Sequence, residues 1–216
     1  SSAEGVASAL HATADDRWLC CLPVHHVAGL AVVARSWHSG TPLVTLDRFD
    51  VHAVAEAIAG GASLVSLVPT TLARLLDQGV PLGGLRGALV GAAPLPDALR
   101  ARASAAGVPV TTTYGLTETW GGVLHDGRAI DGASVTLADD DEIRVRGRMV
   151  MRGYRRDRAG TLAALGADGS LHTGDVGRRL ADGSIEVVDR LRDLVLTGGV
   201  TVSPTEVEQV LAAHPG

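Results

Sequence analysis

The chain has 216 residues, of which 46% are hydrophobic, so it can bury a core and form more than one domain. Its 19 basic and 24 acidic residues give a formal charge of -5, which offers no basic face to nucleic acid or anionic lipid. No apolar run approaches the roughly 18 residues that cross a bilayer, and the N-terminus lacks a signal-peptide pattern.

The only cysteines, Cys20 and Cys21, are adjacent in an apolar run. We interpret them as small buried side chains rather than a disulfide or a metal pair. Free thiols are typical of a reducing compartment, so we expect a soluble cytoplasmic protein with no nucleic-acid or membrane partner. The sequence does not give an oligomeric state, and a homodimer is compatible with it.

The first half alternates short apolar runs with helix-like segments. The last four runs lie about 20 residues apart, the period of strand-helix units. This pattern predicts an α/β fold with a doubly wound, mainly parallel sheet, whose ligands bind beyond the carboxyl ends of the strands. The predicted strands are RWLCCL, PLVTL, ASLVSLV, LRGALVG and VPVTTTY.

The helical segments between these strands carry recognisable ends. Asp50 is a predicted N-cap and Gly60 a predicted C-cap of one helix. PTTLARLLDQG places its leucines on one stripe, and PDALRARASAAG begins at Pro96. In GLAVVARSWHSG, the apolar residues Leu30, Val33 and Trp37 fall at helical spacing.

After residue 125 the chain reads as a smaller β-rich, barrel-like subdomain. Its predicted strands are EIRVRG, RMVMRG, SLHTGD and SIEVVDR, separated by Asp-Gly turns. VSPTEVEQVLAAHP then predicts a helix with Ser203 as N-cap and Glu206 completing a capping box. We expect domains at 1–125, 126–190 and 191–216, the last being a hinge and the first helix of a truncated C-terminal domain.

TTTYGLTETWGG, residues 111–122, combines an aromatic face, hydroxyls and a carboxylate, and it predicts a nucleotide-binding loop. HTGDVG and DRLRDLVLTGGVTVSPTE follow it in order, and LPVHHVAGL and VGAAPLP precede it. Together these motifs resemble the adenylate-forming superfamily of acyl-CoA synthetases, luciferases and nonribosomal adenylation domains. LPVHHVAGL, YGLTETWGGVLHDGRAIDGASV and VMRGYR further resemble the o-succinylbenzoate–CoA ligases of menaquinone biosynthesis, of actinobacterial type.

The resemblance implies ATP, Mg²⁺ and CoA as reactants, and it implies a role for each motif residue. Thr117 would contact phosphate and Glu118 Mg²⁺, a metal that prefers oxygen ligands. Tyr114 and Gly115 would lie against adenine, together with the small residues Gly91, Ala92 and Ala93. Asp175 would accept hydrogen bonds from the ribose hydroxyls, and Arg190 would face ribose and phosphate. Each role has a structural alternative. These are a capped turn for Thr117 and Glu118, a packed core aromatic for Tyr114, a tight strand-to-helix turn for the small residues, an ordinary turn residue for Asp175 and a solvated ion pair for Arg190.

On the acyl side, the resemblance places His26, Gly121 and Gly122 beside the substrate. Arg35 follows His26 by nine residues, where the o-succinylbenzoate ligases carry an arginine. o-Succinylbenzoate has a second carboxylate that a cation would hold. The alternatives are a hydrogen-bonded core histidine for His26 and a surface helix residue for Arg35.

The sequence departs from the family in three places. The Ser/Thr/Gly-rich phosphate loop, expected before residue 1, is absent. The C-terminal catalytic lysine is also absent, and all 19 basic residues are arginine. Arg192 occupies the hinge position, where the family usually has Asp or Lys.

The leading hypothesis is an ATP-dependent, AMP-forming acid–CoA ligase for o-succinylbenzoate. The alternatives are an aryl or acyl adenylating enzyme that loads CoA or a carrier protein, and a nucleotide-binding remnant without ligase activity.

Overall fold

In a computed structural model, the structure describes residues 2–197 and 200–213. The chain divides into two compact units, Ser1–Asp126 and Gly127–Gly216. The first unit contains strands, one 3₁₀ helix and α-helices, which are, in chain order, α1 Ser2–Ala9, β1 Trp18–Cys20, α2 Val27–Ser39, β2 Leu43–Thr45, α3 Val51–Ala59, β3 Leu64–Leu67, α4 Pro69–Asp77, β4 Gly87–Gly91, α5 Asp97–Ala105, β5 Val110–Leu116, the 3₁₀ helix Thr117–Thr119 and β6 Gly121–His125.

The strands of the first unit run in the order β2-β1-β3-β4-β5-β6. The pairs from β2 to β5 are parallel, and β6 is antiparallel to β5. The predicted α/β fold with a mainly parallel sheet is confirmed. The predicted caps of α3 are also present, since Asp50 accepts a hydrogen bond from the Ala53 amide and Gly60 ends the helix.

Helices cover both faces of this sheet. Since successive residues along each strand point to opposite faces, the strands β1 to β4 each contribute side chains to both cores. Leu19, Val65 and Val90 pack in the core with α3, α4 and α5. Trp18 and Leu64 pack on the other face, with α1 and α2. Two apolar cores, one on each face, account for the nearly continuous hydrophobic runs of β1, β3 and β4.

α2 forms where a helix was predicted, and its buried face contains a charged residue, Arg35. Trp37 is 87% exposed and Leu30 is 40% exposed, whereas Val32 and Arg35 are buried. The helix that the spacing of Leu30, Val33 and Trp37 predicts is present, but of these three residues only Val33 packs against a core. Ala31 and Val32 of α2 are buried, whereas the Trp37 side chain remains in solvent.

The second unit contains, in chain order, β7 Arg128–Ala129, β8 Ala133–Leu137, β9 Glu142–Gly147, α6 Arg158–Ala164, β10 Leu171–Arg179, β11 Ile185–Arg190, the 3₁₀ helix Leu191–Asp193, β12 Val195–Thr197, β13 Val200–Val202 and α7 Pro204–Ala213. An antiparallel sheet has the order β11-β10-β9-β8, and β12 pairs with β13. The predicted smaller β-rich unit is confirmed.

One predicted strand, RMVMRG, is a turn instead. Gly147 and Gly153 have φ of +150° and +147°, and the Val150 amide donates to the Gly147 carbonyl. The chain therefore reverses after β9. The Asp-Gly turns at Gly169 and Gly183 are present, with φ of +78° and +83°.

α7 begins at Pro204, as predicted, and Asp189 helps to hold its first turn. The Asp189 carboxylate accepts hydrogen bonds from the Ser203 hydroxyl, at 2.6 Å, and from the Thr205 amide, at 3.1 Å. The predicted capping contact of Glu206 lies outside the described side chains, as do residues 198–199 and 214–216. Among the residues the structure describes, no helix has the length and apolar character needed to cross a bilayer.

Candidate active site

The start of α2 is fixed against the turn that follows β1. A Cβ added at Gly29 would lie 2.4 Å from the Pro23 carbonyl oxygen and 2.6 Å from that of Leu22, so only glycine allows this approach. His26 is the N-cap of α2 and is exposed, with its ring 4.3 Å from that of His25. The reading of His26 as a hydrogen-bonded core residue is therefore wrong.

Arg35 is buried on the inner side of α2 and is only 8% exposed. Its Nε donates to the Ala31 carbonyl at 3.0 Å, and its Nη1 donates to the Ser66 hydroxyl on β3 at 3.3 Å. The guanidinium also lies 4.9 Å from the ring centroid of Trp18. Burial lowers the pKa of Arg35 to about 10. The reading of Arg35 as a surface helix residue is wrong.

No carboxylate among the described residues forms an ion pair with Arg35. A buried cation without an anion is costly, because the protein interior solvates it poorly. The Ser66 hydroxyl, the Ala31 carbonyl and the Trp18 ring offset only part of that cost. This arrangement is suited to an anionic ligand.

The predicted purine-facing segment lies at the end of β4. Gly91 is buried, and a Cβ there would lie 2.6 Å from Thr113 Cγ2 and 2.7 Å from the Thr113 carbonyl oxygen of β5. Ala92 has φ of +68°, and both Ala92 and Ala93 are exposed. The close packing of β4 on β5 thus requires Gly91, while the two alanines that follow it are exposed.

The predicted nucleotide-binding loop, residues 111–122, is mostly not a loop. β5 continues to Leu116, and β6 begins at Gly121. Threonine has a high strand propensity, which favours extension of β5 through this segment. Only the 3₁₀ turn Thr117–Thr119 and Trp120 connect the two strands.

Thr119 holds this connection in place. Its hydroxyl oxygen accepts from the Leu116 amide at 2.9 Å and lies 2.7 Å from the Gly121 carbonyl oxygen, and the residue is fully buried. Thr117 is exposed and Glu118 is half-buried. Sequence reasoning did not select Thr119, although it anchors the turn that presents Thr117 and Glu118.

The glycines of this hairpin allow the two strands to approach closely. A Cβ at Gly115 would lie 1.9 Å from the Gly121 carbonyl oxygen, and one at Gly122 would lie 2.2 Å from Thr113 Oγ1. Gly121 itself has φ of +100°. Packing between β5 and β6 therefore accounts for all three predicted ligand-contact glycines, whether or not they also touch a ligand.

His125 is a buried polar residue that sequence reasoning missed. It is 8% exposed and pairs with Thr113 across β5 and β6. Among the described residues, both ring nitrogens of His125 and the Thr113 hydroxyl have no hydrogen-bond partner. Burial, followed by the charge of Arg35, lowers the pKa of His125 to about 4, so the ring is neutral at pH 7.

The sheet brings several predicted residues to one edge. Thr113 pairs with Gly91, and Gly115 pairs with Gly122, so the ends of β4 and β5 and the start of β6 are neighbours. Tyr114, which is half-buried, Thr117 and Glu118 follow at the same edge. This is the edge at which parallel sheets bind ligands.

In the second unit, Asp175 and Arg190 form a pair. They are opposite each other on β10 and β11, and Asp175 Oδ1 lies 3.1 Å from Arg190 Nε. Asp175 is 3% exposed, while the Arg190 side chain is 49% exposed. The Arg192 side chain is 79% exposed, and among the described residues its ion-pair partner is Asp193, at 3.6 Å.

Residues 1–155 match the family of AMP-binding enzymes. A 2-succinylbenzoate–CoA ligase of Listeria monocytogenes is 31% identical over 94% of this chain and 47% of that protein. A probable 2-succinylbenzoate–CoA ligase of Mycobacterium tuberculosis is 35% identical over 92% of this chain and 54% of that protein.

The fold is also similar to that of a solved enzyme. The o-succinylbenzoate CoA synthetase of Bacillus subtilis, in complex with its acyl-adenylate intermediate, superposes with a TM-score of 0.92 at 32% identity, over 99% of this chain and 49% of that one. The same enzyme in complex with ATP and magnesium gives a TM-score of 0.92. This chain spans about half the length of the relatives it matches. Since the family match covers most of its residues, the chain belongs to the AMP-binding enzymes.

Proposed function

We propose that this chain is part of an AMP-forming acid–CoA ligase that activates o-succinylbenzoate. The observation that carries the proposal is Arg35, a buried guanidinium with no carboxylate partner among the described residues, close to the ligand-binding edge of the sheet. The names of the similar proteins support the same substrate.

The reaction has two steps. A carboxylate oxygen of the acid attacks the α-phosphorus of ATP, and pyrophosphate leaves with the electrons of the broken P–O bond. The CoA thiol, after losing its proton, then attacks the acyl carbonyl, and AMP leaves. The first step brings two anions together, so it depends on positioning and on charge neutralisation.

Residues in the first unit would serve the nucleotide. The exposed Thr117 would donate to phosphate, and Tyr114 and the backbone of Ala92 and Ala93 would lie against adenine. Glu118 would hold Mg²⁺, and its half-buried carboxylate on a short turn fits a metal that prefers oxygen donors. When bound, Mg²⁺ would neutralise phosphate charge. In the second unit, the resemblance assigns ribose binding to Asp175 and Arg190.

Arg35 would select the acid. The carboxylate of o-succinylbenzoate that is not activated would pair with its guanidinium and so satisfy the buried charge. His125 and Thr113 carry further polar atoms without partners among the described residues, which also favours a polar acyl group. A fatty acid would leave Arg35 unpaired, at a cost of several kcal/mol.

The test is Arg35→Gln in the whole protein, with KM measured separately for o-succinylbenzoate and for ATP. We expect KM for the acid to rise on the order of a hundredfold, since a buried charge-assisted pair is lost, and KM for ATP to stay within about twofold. Arg74→Gln is a matched control, because Arg74 also stacks on an aromatic ring, that of Phe49, at 5.2 Å. Equal, small changes in both KM values would contradict the proposed substrate.

A cytoplasmic location is part of the proposal. ATP and CoA are cytoplasmic reactants, and the buried Cys20 and Cys21 are free thiols, which suits a reducing compartment.

A further inference from the structure

The strand that carries Asp175 is interrupted just before it. Leu171 and His172 of β10 pair with Val145 and Arg144 of β9, but Val176 pairs with Glu142. Three residues of β10, 173–175, therefore stand opposite the single residue Ile143. Such a bulge removes some backbone groups from the ladder and re-aims the side chains beside it.

Glu142 provides the hydrogen-bond acceptor that the Gly174 amide lacks in the strand ladder. Its Oε1 accepts a hydrogen bond from the Gly174 amide at 3.0 Å, and Gly174 has φ of +69°. Its Oε2 accepts from Arg144 Nε at 3.1 Å, and His172 Nδ1 lies 3.6 Å away. Glu142 is only 5% exposed, so a buried carboxylate takes over the role of a strand carbonyl.

The same turn fixes the backbone of Asp175. The Thr173 hydroxyl donates to the Ile143 carbonyl at 2.6 Å and accepts from the Asp175 amide at 3.1 Å. Thr173 is thus held by β9, Asp175 is held through Thr173, and Glu142 holds Gly174 itself. A charge-assisted hydrogen bond is stronger than the neutral one that an ordinary ladder supplies.

We propose that Glu142 is a positioning residue for nucleotide binding, which holds the 173–175 turn so that Asp175 meets the ribose hydroxyls of ATP. This inference rests on the proposed function, since it assumes that Asp175 binds ribose. Glu142 itself touches no reactant. Its effect is confined to the part of ATP that Asp175 recognises.

The experiment measures ribose recognition directly. In the whole protein, KM is determined for ATP and for 2′,3′-dideoxy-ATP by pyrophosphate release, and the ratio of the two is the ribose preference. Glu142→Met keeps the side-chain length but removes both acceptor oxygens. We expect it to reduce the preference on the order of tenfold by raising KM for ATP, with KM for dideoxy-ATP unchanged.

Glu142→Gln gives a graded comparison. Its amide keeps one acceptor for Gly174 but turns donor hydrogens toward Arg144, so the preference should fall between those of the wild type and Glu142→Met. Glu186→Gln is the matched control. Glu186 lies in the same unit and pairs with Arg178 at 2.7 Å, but its side chain is 45% exposed, and among the described residues no hydrogen bond or ion pair joins it to the turn. The control should keep the full preference.

The variant Asp175→Asn tests the ribose assignment of Asp175 separately from the positioning role of Glu142. If Asp175→Asn keeps the ribose preference, the ribose assignment in the proposed function is wrong and this inference is overturned with it. If Asp175→Asn loses the preference while Glu142→Met keeps it, the inference alone is overturned. Should Glu142→Met fail to fold, Glu142→Gln decides: a reduced preference supports the positioning role, and a wild-type preference overturns it.

Discussion

Asp16 and Arg35 are buried charged residues of the first unit; Asp16 lies where the parallel strands begin, and Arg35 contacts Ser66 near the carboxyl end of β3. At the end where the strands begin, the Asp16 carboxylate accepts hydrogen bonds from the Thr13 amide and hydroxyl, the Ser63 hydroxyl and Arg86. Toward the other end, Arg35 has no carboxylate partner among the described residues, and His125 has no hydrogen-bond partner there.

The difference indicates that Asp16 contributes to stability, whereas Arg35 and His125 are suited to ligand binding. A fully paired buried charge connects the segments that carry its partners, and the Asp16 network joins the starts of β1, β3 and β4. Buried polar groups without partners reduce stability, and a ligand that supplies the partners regains that free energy on binding. We therefore expect changes at the first end to alter unfolding and changes at the second end to alter catalysis.

The largest expected effect is that of Glu118→Gln in the whole protein. The change removes a charge that faces Mg²⁺ while it keeps the side-chain shape, so adenylation should fall about 100- to 1,000-fold. The melting temperature should change little, since Gln keeps the shape of the side chain. Pyrophosphate release and thermal unfolding are the two measurements. A normal rate with a normal Mg²⁺ requirement would contradict the proposed role of Glu118 in Mg²⁺ binding.

Asp16→Asn should have the next largest effect, and on stability alone. Loss of the charge leaves Arg86 and several donors poorly paired, so the free energy of unfolding should fall by about 3 kcal/mol at pH 7. The hydrogen bonds from Arg86, first of all, hold the pKa of Asp16 well below its usual range. The stabilisation is therefore complete above the unfolded pKa of about 4 and is lost as pH falls.

Urea unfolding of wild type and Asp16→Asn at several pH values measures this effect. The gap between the two proteins should narrow below about pH 4. KM values of the folded variant should match those of wild type. A gap that persists unchanged in acid would mean that Asp16 acts through packing rather than charge.

The smallest effect concerns His125→Phe. Because burial lowers the pKa of His125 to about 4, the unfolded chain binds a proton before the folded one does as pH falls below about 6.5. The wild type should therefore lose about 2 kcal/mol between pH 7 and pH 5 through this group. Phe cannot titrate, so the variant should lack that loss.

The measurement is the slope of unfolding free energy against pH between 5 and 7. His52→Gln is the control for replacing a histidine, since His52 is exposed on α3. Equal slopes in wild type and His125→Phe would show that burial does not keep His125 neutral between pH 5 and 7.

Local patterns predicted the fold well, because the rules behind them are local. Alternating apolar runs identified β1 to β5, and Asp50 and Gly60 identified the ends of α3. Packing between elements was harder to predict. Nothing in GLAVVARSWHSG indicates that Arg35 faces the sheet while Trp37 faces solvent, because that choice depends on how closely α2 approaches β3.

In the candidate site too, contacts between distant residues could not be predicted from the sequence. The motifs placed Thr117 and Glu118 beyond the end of a strand, and the structure has them directly after β5, but the motifs did not indicate the residues that hold Glu118 or Asp175. Thr119 and Glu142 act through contacts with residues that only the folded chain brings near them. His125 carries no sequence signal, since its lack of partners is a property of the folded surroundings.

The adjacent Cys20 and Cys21 give this protein two built-in reporters of its internal motions. Cys20 packs in the core beneath α1 and α2, and Cys21 packs in the core beneath α3, α4 and α5. Burial raises the pKa of Cys21 to about 12, so neither alkylation nor oxidation proceeds while its layer is closed. With one thiol replaced by alanine at a time, the labelling rate of the other follows the opening of a single helical layer. The order in which the two layers separate from the sheet can thus be read from native side chains one residue apart.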